Sequence, residues 1–260
     1  MLSFSNDQTV QLRCWRTEKR AQLRLICFPY AGGNTSVFKP WAEFLPDNIE
    51  VCAVELPGRD KLFKAPPFVR LPPLIKAIAD SMGPFLELPY VLFGHSMGAL
   101  LAFELARELR RRGTPEPASL FVSAHRAPHL PDPRPAVAEL SDTRFIDELH
   151  RLQGTPPQAL ENRDLMVLLL PLLRADFTLC ENYEYTQETA LECPIVAFAG
   201  LDDTELEYQE VFSWGKHTTG EFRIFMMQGN HFFIHTAKES MLKVMSEQLA
   251  TLKGANDDRT

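Results

Sequence analysis

The pentapeptide Gly94-His95-Ser96-Met97-Gly98 contains the side chain best placed to attack an electrophile. An apolar run, residues 90–93, precedes it, and a run with helical character, residues 99–103, follows it. This order predicts a strand, a sharp turn and a helix, with Ser96 in a strained backbone conformation and small neighbours that let strand and helix pass closely. We therefore expect Ser96 to be a nucleophile. The alternative is an ordinary glycine-rich turn that contains a serine.

A serine hydroxyl is a weak nucleophile at neutral pH, so it needs a base and a group that orients the base. In folds that use this turn, the acid and then the histidine follow the serine along the chain. Asp202 and Asp203 follow one buried strand-like run, and His231 follows the next in a short loop that contains a glycine. Because catalytic groups in open α/β sheets collect beyond the carboxyl ends of the strands, we expect Ser96, Asp203 and His231 to meet there.

The chain has seven histidines, so the general base has to be chosen among them. His235 precedes Thr236-Ala237-Lys238-Glu239, which has the form of a helix capping box, and we expect it to be exposed. His95 adjoins the serine, but neighbouring side chains on such a turn diverge. Four others are expected to be surface or packing residues: His125, His129, His150 and His217. His231 is therefore the preferred base, while Asp202 stays open beside Asp203 because it could accept hydrogen bonds within its loop or be the acid itself.

An acyl-transfer intermediate carries a negative oxygen that needs backbone N–H donors. The turn places the N–H of Met97 at the start of the helix, where it can be one donor. Such folds take the second donor from the loop after an early strand, which here is Pro29-Tyr30-Ala31-Gly32-Gly33-Asn34. Its paired glycines allow the backbone to approach a ligand closely. We therefore expect the N–H groups of Ala31 and Met97 to form an oxyanion hole, with a plain glycine-rich turn as the alternative.

Six motifs extend this pattern along the chain. They are Cys27-Phe28-Pro29-Tyr30-Ala31-Gly32-Gly33, Glu55-Leu56-Pro57-Gly58-Arg59, Gly94-His95-Ser96-Met97-Gly98, Leu173-Arg174-Ala175-Asp176-Phe177, Trp214 with His217-Thr218-Thr219-Gly220, and Gly229-Asn230-His231-Phe232-Phe233. In this order they resemble the type II thioesterases, the free-standing α/β-hydrolases that serve polyketide synthases, nonribosomal peptide synthetases and some fatty acid synthases. The resemblance covers roughly residues 23–252.

The resemblance implies an α/β-hydrolase fold and hydrolysis of acyl groups from the phosphopantetheine thiol of an acyl or peptidyl carrier protein. It implies Ser96 as nucleophile, His231 as base and Asp203 as the acid that orients it. Asn230 stands where the family usually has glycine, and the acid loop starts differently, which keeps Asp202 as an alternative acid. A general carboxylesterase or lipase on the same fold and a non-catalytic partner protein are the competing hypotheses.

Composition narrows the class of protein. A chain of 260 residues with 45% hydrophobic and 23% charged residues is typical of one α/β domain with a substantial core. The formal net charge of -7 argues against nucleic-acid binding. No apolar run could span a bilayer, and residues 1–7 lack the apolar segment of a signal peptide. We therefore expect a cytoplasmic protein with no nucleic-acid or membrane partner. The resemblance implies an acyl or peptidyl carrier protein as the partner, and we expect a monomer.

Cysteine usage and the remaining motifs point to no cofactor. The five cysteines are an odd number without C-x-x-C spacing, which suggests neither a disulfide framework nor a zinc site. No motif indicates a metal, nucleotide or flavin site. Any chemistry is therefore expected to come from side chains and backbone alone.

Six strand-like runs alternate with helix-like segments: residues 23–28, 49–54, 90–93, 120–123, 194–198 and 222–227. This alternation predicts a mostly parallel sheet with helices on both faces. The helix after Ser96 is expected to run to about Arg112 and stop at Gly113. Arginines 107 and 110–112 crowd its last turns, where positive charge favours the helix dipole and could also receive an acidic carrier protein or its phosphate.

Residues 126–185 lack a convincing strand and open with a proline-rich stretch, so we expect a helical lid insertion within the single domain. Helices are expected at residues 141–152 and at about 162–183, the second interrupted at Pro171. Its apolar residues are too many for one buried stripe, so one face could line an acyl tunnel while another packs on the core. These residues are Leu165, Met166, Leu168, Leu169, Leu172 and Phe177. Residues 254–260 are expected to form a polar tail.

Overall fold

A computed structural model describes residues 10–15, 21–155 and 157–257, and the segment at residues 1–7 lies outside the described residues. Its centre is a seven-stranded sheet in the order β1-β3-β2-β4-β5-β6-β7. The strands are β1 (Gln11–Trp15), β2 (Leu23–Phe28), β3 (Ile49–Glu55), β4 (Tyr90–His95), β5 (Ser119–Ser123), β6 (Ile195–Gly200) and β7 (Phe222–Met227). Every neighbouring pair is parallel except β1 and β3. The predicted, mostly parallel α/β sheet is confirmed.

Eight α-helices surround the sheet in the described part of the chain. They are α1 (Leu71–Ser81), α2 (Met97–Arg111), α3 (Asp142–Leu152), α4 (Pro157–Leu160), α5 (Arg163–Glu181), α6 (Tyr208–Phe212), α7 (Phe233–Thr236) and α8 (Lys238–Asp257). Short 3-10 helices lie at Thr35–Val37, Lys39–Glu43, Asp60–Leu62, Gly83–Phe85 and Ser213–His217. No helix among the described residues has the length and apolar character needed to cross a bilayer.

The core lies on both faces of the sheet, because alternate residues of a strand point to opposite sides. Ile26 and Phe28 of β2 pack in a cluster with α1 and α2, whereas Leu25 and Cys27 pack in a second cluster with α8. Strands buried on both faces read as continuous apolar runs, which is why β2, β4 and β6 could be predicted from sequence. This packing holds the carboxyl ends of the parallel strands at one edge.

The first strand, β1, was not predicted from sequence. It has five residues, all of them only half-buried, so no apolar run marks it. Its pairing with β3 places Cys14 opposite Cys52, with 4.0 Å between the Cα atoms, and the two sulfurs form a disulfide. The expectation that the chain has no disulfide was therefore wrong, because antiparallel register brings together two cysteines 38 positions apart. Among the described residues, the ligand atoms of these two cysteines and Glu50 lie close together, but the disulfide leaves no thiolate that could bind a metal ion.

Helix α2 ends as the sequence predicted. It runs to Arg111, and Gly113 takes a positive φ of 73°. The arginines in its last turns form ion pairs with Asp80, Glu104, Glu108, Glu116 and Glu188. Neighbouring carboxylates therefore already engage these arginines, which argues against the suggestion that they receive a carrier protein.

Helices α3, α4 and α5 lie in the segment that joins β5 to β6, called here the 126–185 insertion. They share a small apolar cluster built from Phe145, Leu149, Leu160, Met166, Leu170 and Leu173. Helix α5 is continuous through Pro171, contrary to the interruption expected there. Buried neighbours on both sides hold the helix in place although proline lacks an N–H to donate. At the other end of the chain, α8 continues to Asp257, so residues 254–257 of the expected polar tail are helical, and residues 258–260 lie outside the described residues.

Candidate active site

Ser96 occupies the turn between β4 and α2 with φ 52° and ψ −121°. A positive φ is unusual for a residue with a side chain, and the strain was expected from the sequence of this turn. The crowding around the turn explains its glycines. A Cβ atom added to Gly94 would overlap the carbonyl oxygen of Gly98, and one added to Gly98 would overlap the carbonyl oxygen of Phe28. Only glycine at both positions lets β2, β4 and α2 meet at this point.

A hydrogen-bonded chain of three side chains starts at this turn. Nε2 of His231 lies 3.1 Å from Oγ of Ser96, and Nδ1 of His231 lies 2.9 Å from Oδ2 of Asp203. The Asp203 side chain is 1% exposed, and its second oxygen accepts a hydrogen bond of 2.9 Å from the backbone N–H of Glu205. Asp202 is exposed, and its backbone N–H donates to the carbonyl of Gly229. The structure thus brings Ser96, His231 and Asp203 together and leaves Asp202 outside this chain of contacts.

The two loops that carry the acid and the histidine meet because β6 and β7 are paired to their ends. Gly200, the last residue of β6, lies opposite Met227 in the ladder. A Cβ atom on Gly200 would stand 2.6 Å from the carbonyl oxygen of Gly229, so the loops touch through backbone atoms. Gly229 has a positive φ of 109°, which turns the chain sharply before His231.

The other histidines near the turn have different partners. His95 is buried, and its Nδ1 lies 2.9 Å from Oγ of Ser123; burial, followed by the proximity of His231, holds its pKa well below the ordinary value. His235 is exposed, as expected, and its Nε2 lies 2.8 Å from the hydroxyl of Tyr30. Neither ring contacts Ser96 in place of His231.

His129 and His217 form a pair that the sequence did not reveal. Nδ1 of His129 lies 2.8 Å from Nε2 of His217, and the rings pack beside Tyr185. Burial, and then the proximity of His129, lowers the pKa of His217 to about 4. Both rings are therefore packing residues, as the sequence analysis expected, but they pack against each other.

The two expected oxyanion donors line one wall of the site. Met97 is the first residue of α2, so its backbone N–H has no acceptor within the helix. Ala31 lies in the loop after β2, where the N–H of Gly33 donates to the carbonyl of Tyr30 at 2.8 Å and Gly32 has a φ of 74°. Ala31 and Met97 border the same cavity as Ser96 and His231.

That cavity has a volume of about 990 Å³ and lies between the strand ends and the 126–185 insertion. Six apolar side chains were expected to line an acyl tunnel or to pack on the core. Phe177 borders the cavity, Leu165 and Leu168 are exposed, Leu169 is partly buried, and Met166 and Leu172 are buried. Leu152 of α3 and Leu130 border it as well. One face of α5, which carries Leu173, Phe177 and Cys180, therefore borders the cavity as expected, and helix α3 adds to the apolar wall.

A buried charge cluster that sequence analysis missed forms another part of the wall. The Glu205 carboxylate, 4% exposed, pairs with Arg134 and with Arg151 of α3, each at 2.5 Å. Burial alone would raise the pKa of Glu205, but hydrogen bonds from Arg151 and Arg134 lower it overall. Because the backbone of Glu205 also holds Asp203, this cluster connects the 126–185 insertion to the acid loop. Nothing in the local sequence signals it, since its members are far apart along the chain.

Comparisons of this chain with family models, with related sequences and with solved structures all indicate the same family. The family model described as "Thioesterase domain" matches residues 23–249. The gramicidin S biosynthesis protein GrsT of Aneurinibacillus migulanus is 42% identical over 229 residues, which cover 88% of this chain and 90% of that protein. Two solved structures superpose closely. The RedJ thioesterase of the prodiginine pathway of Streptomyces coelicolor has a TM-score of 0.84 and 39% identity, with 90% of this chain and 94% of that chain covered. The type II thioesterase BorB from the borrelidin cluster has a TM-score of 0.82 and 33% identity, with 95% and 100% covered.

Proposed function

This chain belongs to the thioesterase family, among its type II members, and is therefore a thioester hydrolase; we propose that it removes acyl groups from the phosphopantetheine thiol of acyl or peptidyl carrier proteins. We assign Ser96 as the nucleophile, His231 as the general base and Asp203 as the residue that orients it. The relatives named above serve gramicidin S, prodiginine and borrelidin biosynthesis, which favours carrier-bound intermediates of such assembly lines as substrates.

One observation carries the assignment of the site: an unbroken set of contacts from Asp203 through His231 to Ser96 at the wall of the large cavity. A carboxylate bound to Nδ1 keeps the proton on that nitrogen and leaves Nε2 free to accept the proton of the serine hydroxyl. Asp203 suits this task because its side chain is buried and its second oxygen is held by the N–H of Glu205.

In the first half of the proposed reaction, Oγ of Ser96 attacks the carbonyl carbon of the thioester while Nε2 of His231 takes the hydroxyl proton. The carbonyl oxygen becomes negative and accepts hydrogen bonds from the N–H groups of Ala31 and Met97. The carbon–sulfur bond then breaks, and the proton on His231 passes to the departing thiol. The acyl group is left as an ester on Ser96.

In the second half, a water molecule attacks the acyl-serine ester while His231 takes its proton. The oxyanion forms again at the same donors, and its collapse returns the proton to Oγ and releases the carboxylic acid. Because a thiol ionises near pH 8.5 and leaves readily, we expect deacylation or product release to limit turnover. Rapid mixing should then show a burst of free thiol and an acylated Ser96, and a reaction without any burst would refute this order of rates.

We propose that the acyl group lies in the cavity and that the 126–185 insertion is the lid of this cavity. Both belong to a single α/β-hydrolase domain in this proposal. Helices α3 and α5 of this insertion contribute Leu152 and Phe177 to the lining of the cavity. We further propose a monomer that meets its carrier protein in the cytoplasm without a membrane or nucleic-acid partner. The Cys14–Cys52 bond is the observation that weighs against a reducing compartment.

The test is a comparison of matched substrates with wild type, Ser96→Ala and His231→Gln. One acyl group is offered on a carrier protein, on free pantetheine and as a simple ester. We expect the carrier thioester to be hydrolysed with the highest kcat/KM, and each variant to lose at least about 10³-fold in kcat. Equal kcat/KM on the simple ester would instead indicate a general carboxylesterase. A Ser96→Ala enzyme as active as wild type would refute the assignment of the nucleophile.

A further inference from the structure

Two of the motifs in the sequence, those containing Arg59 and Asp176, take no part in the proposed reaction, yet the structure brings them together. Arg59 follows β3, and Asp176 lies in the middle of α5. Both are buried, and Nη2 of Arg59 lies 2.7 Å from Oδ1 of Asp176. Two charges removed from water at this distance form an ion pair whose position is well defined.

This pair also binds the loop after β2 at two consecutive residues. The backbone N–H of Gly32 donates to Oδ2 of Asp176 at 2.8 Å. Nη1 of Arg59 donates to the carbonyl oxygen of Gly33 at 2.9 Å. One carboxylate and one guanidinium therefore hold a donor and an acceptor of the backbone directly after Ala31.

Side-chain packing fixes α5 against the same loop. A Cβ atom on Gly32 would stand 2.5 Å from Cδ2 of Leu173, and one on Gly58 would stand 2.9 Å from Cδ1 of Leu172. Leu172, Leu173 and Asp176 thus lie on the part of α5 that touches the two glycine-containing loops. The helix cannot shift along this contact without moving the hydrogen bonds to Gly32 and Gly33.

Because the N–H of Ala31 precedes Gly32 by one peptide unit, its direction depends on how the Gly32 and Gly33 backbone is held. An oxyanion donor is effective only when it is aimed at the position that the developing charge will occupy. A rotation of one peptide plane would turn the donor away while leaving the substrate cavity intact. The contacts of Arg59 and Asp176 oppose that rotation.

We propose that Arg59 and Asp176 are positioning residues that aim the Ala31 N–H at the oxyanion and connect the orientation of this donor to the placement of helix α5. The proposal rests on the proposed function for the identity of the oxyanion hole. It goes beyond that function because it makes the 126–185 insertion part of the machinery that sets the reaction rate. Neither Arg59 nor Asp176 borders the cavity that contains Ser96 and His231.

Arg59→Lys is the most direct test, because lysine keeps the positive charge beside Asp176 but has no planar fork that can bind Asp176 and Gly33 at once. We expect kcat/KM to fall about 10- to 100-fold, short of the loss of an entire oxyanion donor, with KM changed less than about threefold. The labelling rate of Ser96 by a fluorophosphonate should fall by a similar factor, because its phosphoryl oxygen uses the same donors. Affinity for the alcohol of the same chain length, which fills the cavity but has no carbonyl oxygen for these donors, should stay at the wild-type value.

Asp142→Asn is the matched control. Asp142 pairs at 2.6 Å with Arg174, which lies on the same helix as Asp176. The Asp142 side chain is 72% exposed, however, and it binds no part of the Ala31 loop. Its kcat/KM and labelling rate should equal those of wild type. A loss shared equally by Arg59→Lys and Asp142→Asn would mean that any weakening of the insertion slows the enzyme, and it would overturn the specific role of Arg59.

A double variant, Arg59→Gln with Asp176→Asn, separates positioning from stability because it leaves no buried charge without a partner. We expect its melting temperature to lie near that of wild type while kcat/KM and labelling stay at least about 10-fold low. Wild-type labelling and kcat/KM in this variant or in Arg59→Lys would overturn the proposal. A wild-type enzyme without thioesterase activity would refute the proposed function instead, and the labelling rates would still report on the loop.

Discussion

Asp203, rather than its neighbour Asp202, contacts the imidazole of His231, with 2.9 Å between Oδ2 and Nδ1. The two carboxylates are adjacent in sequence, yet one side chain is 1% exposed and the other lies at the surface. Adjacent residues in a loop point in different directions, so only one of them can face the ring. This geometry leads directly to a paired test of the acid.

Asp203→Asn should lower kcat by about 10⁴-fold, because an amide can stabilise the wrong tautomer of the histidine and cannot offset the charge of the imidazolium. Asp202→Asn should change kcat less than about threefold, since that side chain is exposed and outside the contacts of His231. Steady-state hydrolysis of a carrier thioester measures both. The reverse order of effects would make Asp202 the acid.

Breaking the contact between Arg151 and Glu205 should loosen helix α3. Arg151→Met removes one of the two arginines that bind the buried carboxylate and leaves Arg134 in place. We expect amide hydrogen exchange in α3 to accelerate, with a loss of global stability of about 1 kcal/mol, because the Arg151 side chain is 49% exposed. Arg144→Met, at an exposed arginine of the same helix, is the control, and equal exchange rates in both variants would contradict the prediction.

Reducing the Cys14–Cys52 disulfide should destabilise the protein. The bond joins residues 38 positions apart, and in the chain-entropy model a loop of this size contributes about 4 kcal/mol to the free energy of unfolding. Urea denaturation with and without reductant measures the difference, and Cys14→Ser with Cys52→Ser should match the reduced protein. Three thiols, those of Cys27, Cys180 and Cys193, should react in the unfolded, oxidised chain. A count of five reactive thiols would show that the bond does not form.

Stability should fall as the pH drops from about 6.5 toward 4, because His217 stays neutral in the folded state. Burial, and then His129, lowers its pKa to about 4 from the ordinary value of 6.5, so within this window the unfolded chain binds the extra proton. A histidine that is neutral in the folded state and charged in the unfolded state makes the free energy of unfolding rise with pH. The rise is about 1.4 kcal/mol per pH unit within this window. His217→Gln should reduce the slope by that amount between pH 4.5 and pH 6.

The loss of packing in His217→Gln can be separated from the titration. At pH 8 the imidazole is neutral in both the folded and the unfolded state, so any difference from wild type there reports packing alone. Below pH 4 the folded protein takes up the proton as well, and the two curves should again run parallel. An unchanged slope between pH 4.5 and pH 6 would contradict the prediction.

The parts of the molecule that sequence could predict are those with local signals. The strands with continuous apolar runs, the turn at Ser96 and the end of α2 near Gly113 all follow from residues adjacent in the chain. The order of acid and histidine along the chain located the loops that meet Ser96. These features depend on backbone preferences and on burial of short segments, which a single sequence displays.

The parts that could not be predicted depend on pairing across long distances in sequence. Strand β1 is defined by its register with β3, and the same register creates the Cys14–Cys52 bond. The contacts of Glu205 with Arg151, and of Arg59 with Asp176, join residues 54 and 117 positions apart. A carboxylate in a sequence carries no mark of the arginine that will neutralise it, so only the folded structure reveals these clusters.

The turn at Ser96 is confined by main-chain atoms, because glycine at 94 and at 98 is required by the carbonyl groups of Gly98 and Phe28. Main-chain atoms cannot be exchanged by mutagenesis, whereas the side chains of Leu152 and Phe177, which border the same cavity, can. A directed-evolution library that aims at a new chain-length preference therefore belongs in helices α3 and α5. A side chain introduced at Gly94 or Gly98 would instead overlap these carbonyl groups.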